Sequence, residues 1–205
     1  MPIKSLSQSS LLNFEKYSSM LAGNTKVSYG AYDLLQTEVL TSAQAEITFN
    51  SLNTYATAGY QHFQIRAMIR TTRNANNSNY YVRFNGDTGA NYAQHYMRGN
   101  GSAMESANLQ TSGTQGVYVY QGATSATSGT GTYAASVIDI LDPFNTNKYT
   151  TIKVLTGFTG SISRVLLESG LWMNTNAITS ITFDEYFGAN FAEDTRISLY
   201  GLKAA

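Results

Sequence analysis

Acid–base chemistry needs a group that titrates near neutrality, and only two side chains offer one, His62 and His95. A nucleophilic triad would set a Ser, Thr or Cys beside such a base. Cysteine is absent, neither histidine adjoins a G-x-S-x-G elbow, and H-E-x-x-H spacing does not occur. His62 begins an alternating run beside Tyr60, and His95 lies within Asn91–Tyr96; both read as structural or surface histidines. Glycoside hydrolysis needs two carboxyl groups flanking a scissile bond. The sequence offers Asp139 with Asp142, Asp184 with Glu185, and Glu193 with Asp194. Asp139 alternates with Ile138 and Ile140, so it points away from the apolar side of its run. Asp142-Pro143 reads as the start of a turn. The other two pairs flank Tyr186–Phe191, as turn and rim residues do. The spacing favours structure over hydrolysis, and no catalytic residue is assigned.

Binding chemistry leaves more to weigh. Asn85-Gly86-Asp87-Thr88-Gly89 has the composition of half a calcium loop, but the bidentate Glu that closes an EF-hand is missing. A Gly-rich turn between two strands explains it more simply, and no cofactor or metal is assigned. Arg66, Arg70, Arg73, Arg83 and Arg98 fall close enough in sequence to build a basic patch for an acidic polysaccharide or a neighbouring subunit. The competing reading is a salt-bridged, solvated surface. Trp172, the single tryptophan, is either packed at one end of the fold or exposed to stack on a sugar.

The elements that must position these residues are strands. Tyr (15) and Phe (9) are abundant among Thr, Ser, Asn and Gly, a composition suited to pleated, half-buried surfaces joined by tight turns. His62–Arg70 alternates strictly, with Phe63, Ile65, Ala67 and Ile69 on one side. Similar runs at Leu34–Leu40, Ala45–Phe49, Tyr80–Phe84, Val117–Gln121, Ala135–Leu141, Thr151–Leu155, Arg164–Leu171, Ile178–Phe183 and Arg196–Leu202 predict about ten strands. They predict an all-β sandwich over residues 26–205, with no convincing helix after residue 25. Two polar stretches, Thr71–Asn79 and Gly122–Thr132, are expected to be exposed, mobile loops, either carrying specificity or simply connecting strands. Residues 1–25 differ: Leu11, Leu12, Phe14, Tyr17, Met20 and Leu21 recur at mixed steps. They fit a short helix capping the sandwich, an arm anchored on another protein, or a frayed tail.

Thirteen basic and thirteen acidic side chains cancel, which argues against nucleic acid as a partner. No apolar run approaches the roughly 20 residues that span a bilayer, and Met1–Ser10 lacks a signal-peptide pattern.

Several segments together resemble virion structural proteins of tailed phages, of the cyanophage and marine type. They are Ile3–Leu6 with Ser18–Asn24, Arg83–Asn91, His95–Ser102, Val137–Tyr149, Gly170–Phe183 and Asn190–Lys203. The resemblance implies a jelly-roll or lectin-like antiparallel β-sandwich on the virion exterior, with other virion proteins as partners and a homo-oligomer, by analogy a trimer. It supplies no catalytic residues. The expected role is a non-enzymatic exterior structural protein, a capsid decoration or surface appendage. A receptor-binding module gripping host surface glycan is the alternative, and a glycan-cleaving enzyme the weakest reading.

Overall fold

The computed structural model describes residues 32–203, with the backbone alone at 109–113. The arm at 1–25, with Leu11, Leu12, Phe14, Tyr17, Met20 and Leu21, lies outside the described residues. Twelve strands follow one another: β1 (Asp33–Val39), β2 (Glu46–Phe49), β3 (Tyr60–Ile69), β4 (Asn77–Phe84), β5 (Tyr92–Gly99), β6 (Met104–Thr114), β7 (Val117–Thr124), β8 (Ala134–Leu141), β9 (Thr150–Thr159), β10 (Ser163–Trp172), β11 (Ile181–Glu185) and β12 (Arg196–Lys203). One helical turn, α1 (Thr54–Thr57), precedes β3. Ten strands coincide with alternating stretches of the sequence. The other two are β5, whose YAQHYMRG alternates Tyr92, Gln94 and Tyr96 inward, and β6, whose MESANLQTSGT is small and polar because it forms the outer edge of its sheet.

The strands make two sheets, one of eight in the order β1-β12-β3-β8-β9-β10-β5-β6 and one of four in the order β2-β11-β4-β7. From β1 to β5 the chain changes sheet at every step. On its return β11 enters between β2 and β4, and β12 between β1 and β3. This interleaving of first and last strands makes the sandwich jelly-roll-like. Alternation decides what lies between the sheets. Phe63, Ile65 and Ile69 of β3 and Ile138 and Ile140 of β8 meet Phe49, Val82, Phe84 and Phe183 of the small sheet in one buried cluster. Some aromatic members pack edge to face, as Phe49 and Phe183 do at 6.4 Å, and others stack, as Phe84 and Tyr92 do at 6.4 Å. Gly170 lets the sheets close up, since a Cβ there would lie 2.5 Å from Val117 Cγ1.

The border strand β7 of the small sheet pairs with β4 on one side and with no further strand of that sheet on the other, yet two of its outward N–H groups are not left open. The Tyr118 N–H donates to Gln94 Oε1, and the Tyr120 N–H donates to both Glu168 oxygens at 3.0 and 3.3 Å. Both acceptors come from the large sheet. Glu168 is 3% exposed, and burial pushes its carboxyl well above the usual range, against the lowering effect of the Tyr120 N–H.

The two polar stretches expected to stand free instead hold each other. Ala126 and Thr127 N–H groups donate to the Arg73 and Ala75 carbonyls at 3.0 and 3.1 Å, and the Thr71 and Ser125 hydroxyls meet at 2.8 Å. Thr71, Ser78, Asn79, Thr124 and Ser125 are buried. Small hydroxyl side chains make this joint possible because each bonds locally as well as across the gap.

Candidate functional site

The five arginines do not form one patch. Arg66 lies on the outer face of the large sheet, its guanidinium 5.2 Å from the Tyr200 ring and its Nε donating to Gln64 at 3.1 Å. Arg70 donates to the carbonyls of Ala126, Gly129 and Thr132 and so fastens the loop after β7. Arg98 points between the sheets, paired with Glu105 and 5.0 Å from the Tyr120 ring. Arg73 and Arg83 alone reach a common surface. Parity separates the rest: Arg98 shares the inward side of β5 with Gln94 and Tyr96, whereas Arg66 faces outward on β3.

Trp172 is 0% exposed, and an indole with no open face cannot stack on a sugar. It packs against Phe84 and Tyr92 and donates from Nε1 to Asp87 at 2.8 Å. Asp87 also accepts from the Gly89 N–H at 2.8 Å and from Asn91 Nδ2 at 3.0 Å. Burial raises its carboxyl, but these donors outweigh burial and bring it below the usual range. Asp87 is therefore the hub of the turn from β4 to β5.

The remaining carboxylates also serve structure. Asp139 accepts from Lys153 and Gln64, each at 2.8 Å. Asp142 is paired with Lys148 and caps the turn after β8, and its N–H donates to His62 Nδ1 at 3.1 Å. Asp184 is paired with Arg83. Glu193 and Asp194 sit exposed in the turn before β12. His95 is exposed in a depression of about 670 Å³ on the large sheet, with Ser106, Asn108, Thr151 and Ser169. The one ring lining it, Tyr96, turns inward to stack on Tyr120 at 4.8 Å.

A different surface emerges on the outer face of the small sheet. On β7, Val117 and Val119 point into the core and Tyr118 points out; on β4, Tyr81 is its cross-strand partner. Tyr186, just after β11, lies over both, at 5.3 Å from the Tyr81 ring and 4.7 Å from the Tyr118 ring. Phe187 continues the row at 4.8 Å from Tyr186. Arg73 covers Phe187 at 3.5 Å, and Arg83 covers Tyr81 at 4.7 Å. Tyr186 and Phe187 are 43% and 47% exposed, so two rings of the row offer open area.

The loop that carries these rings is fixed from beneath. The buried Glu185 carboxylate accepts from the Phe187 and Ala189 N–H groups at 2.7 and 2.8 Å and from the Ser78 hydroxyl. Gly188 takes the left-handed conformation, φ 75°, that the turn requires. Burial, followed by the nearby Tyr186, raises the Tyr118 and Tyr81 phenols above their ordinary range. A phenol hydroxyl can both donate and accept, and that of Tyr118 already accepts from Asn79 Nδ2. None of these four rings stands out in the sequence by a motif. The usable signal is the alternation Val117-Tyr118-Val119-Tyr120, which turns tyrosine outward where a solvated strand carries a charge or a short polar residue.

No protein-family model matches the chain, nor does any curated protein. Among solved structures, the chain is similar to the binding domain of botulinum neurotoxin DC in complex with SialylT, at 12% identity and a TM-score of 0.27, over 82% of this chain and 41% of that one. It is similar to galectin LEC-6 of Caenorhabditis elegans at 8% identity and a TM-score of 0.24, over 87% of this chain and 100% of that one. It is also similar to a receptor binding domain at 11% identity and a TM-score of 0.27, over 83% and 43%. The chain thus spans less than half the length of two of the three, and these likenesses transfer no residue and no activity.

Proposed function

We propose that the chain is a non-enzymatic carbohydrate-binding module whose ligand stacks on Tyr186 and Phe187, the open end of the row that Tyr81 and Tyr118 support. The observation that carries this reading is the pair of half-open rings held in place by the buried Glu185. A pyranose presents a face of polarised C–H groups to the negative face of an aromatic ring, and its equatorial hydroxyls need donors and acceptors at the rim. Arg73, Arg83, Asp184 and the two phenols supply them. Rings fixed before the ligand arrives lose little conformational entropy on binding. The segments resembling tailed-phage proteins support deployment on a virion exterior, where such a module would grip host surface glycan.

The test is a glycan array probed with the full chain, followed by calorimetry on the retained sugar. Tyr186→Ala and Phe187→Ala should each weaken binding at least tenfold without moving the unfolding midpoint. Retention of no glycan, or wild-type affinity in both variants, overturns the proposal.

A further inference from the structure

Six of the big apolar side chains exposed on the outer face of the large sheet lie close together, 45–68% exposed: Met68, Met97, Met104, Leu155, Val165 and Leu167. Strand register gathers them into two adjacent rows. In one, Met68 lies opposite Ala135, Ala135 opposite Gly157, Gly157 opposite Val165, Val165 opposite Gly99, and Gly99 opposite Met104. In the other, Val137, Leu155, Leu167 and Met97 are successive neighbours. The stripe therefore has a small-residue floor at Ala135 and Gly157, within a depression of about 560 Å³, and protruding methionines at its far end on β5 and β6.

We propose that this face is a self-association surface on which a second copy of the chain docks about a two-fold axis running along the strands between β9 and β10. Three features point to a second copy. The first is area: the open parts of these six side chains come to roughly 600 Å², the upper end for a monomer's largest apolar patch. With the polar row beside them they approach the about 800 Å² per partner of a stable interface.

The second feature is strand order. Such an axis sets β5 and β6 of one copy over β8 and β3 of the other and keeps each row facing itself. Val165 then comes over Gly157, Met97 over Val137, Met104 over Met68, and Leu155 over Leu167, so large residues meet small ones or other aliphatic groups. The third is charge. The same axis brings Asp139 over His95 and Arg66 over Ser106 and opposes no like charges, and the chain carries no net charge to hold copies apart.

Sedimentation velocity on the full chain at micromolar concentrations should read twice its 22.3 kDa mass. Leu167→Lys should raise the dimer dissociation constant at least tenfold while leaving the circular dichroism spectrum and unfolding midpoint unchanged. Met97→Lys, on a different strand, repeats the test should the first variant misfold. Tyr186→Ala, on the opposite sheet, should keep the dimer mass, so this inference and the carbohydrate reading fail separately. A single-chain mass for the wild type, a mass of three chains or more, or a dimer persisting in a folded lysine variant overturns the proposal.

Discussion

The outer face of the four-stranded sheet carries a row of rings covered by guanidinium groups beside a carboxylate; that of the eight-stranded sheet carries a stripe of thioethers and aliphatic side chains over small residues, bordered by the polar row of Asp139, Lys153 and His95. Their inner faces do not differ in this way, since both bury aliphatic and aromatic side chains in one cluster. Because successive residues of a strand point to opposite sides, the inward half of each strand can stay fixed by packing while the outward half takes on a separate chemistry. Polarised rings with directional partners suit a small polar ligand, whereas a broad, weakly directional surface suits another protein.

The contrast can be broken outright from the core. Phe183 packs against Phe49 and Tyr80 beneath the small sheet. Phe183→Ala should lower stability by about 3–5 kcal/mol in urea titration, as buried aromatic truncations do. Both surface properties should fail together under mild denaturant. Loss of sugar binding alone would show that the two sheets are not one cooperative unit.

The strand content of this core was legible because alternation exposes it directly. His62–Arg70 and Arg196–Leu202 can be read residue by residue, and both emerge as paired strands in register. Strand β6 was not legible, because an edge strand with a polar outer side needs no apolar period. The arginine patch failed for a related reason. Sequence gives parity within a strand but not which of two sheets the strand joins, and that choice sends Arg66, Arg83 and Arg98 to different places. The loops at Thr71–Asn79 and Gly122–Thr132 misled through composition, since Ser and Thr suit solvent and suit bonding to each other equally well. Tyr186 and Phe187 owe their position to Glu185, a carboxylate that sequence reads only as half of an acidic pair.

The comparison sharpens with variants confined to one side. Glu185→Ala strips the acceptor from two backbone N–H groups under the ring row. It should cost about 1–3 kcal/mol, the penalty for unpaired buried donors. Calorimetry should show sugar binding lost and sedimentation should show the dimer intact; loss of both would mean the loop supports more than one face.

Smaller still is the effect of Glu168→Gln, which keeps an acceptor for the Tyr120 N–H. The wild-type carboxyl is raised in the folded state. Its contribution is therefore fully present below the unfolded pKa and is lost as pH rises through the folded pKa. The glutamine variant should flatten that loss in unfolding midpoints measured from acid to alkaline pH; parallel profiles would remove Glu168 as the cause. Least of all, Val165→Thr on the open aliphatic face should change monomer stability by less than about 0.5 kcal/mol, as a chemical denaturation curve below the dimer concentration range would register.

The side-chain seal along β7 has a consequence for the chain among its neighbours in a crowded or partly unfolded population. A sheet border normally offers a ladder on which any extended segment can crystallise, the first step of fibril growth. At β7 the rungs at Tyr118 and Tyr120 are occupied from within the same molecule, by Gln94 and Glu168. A stray strand arriving there finds no free donors at those two rungs, so cross-β pairing is opposed at that part of the border for as long as the two sheets stay together.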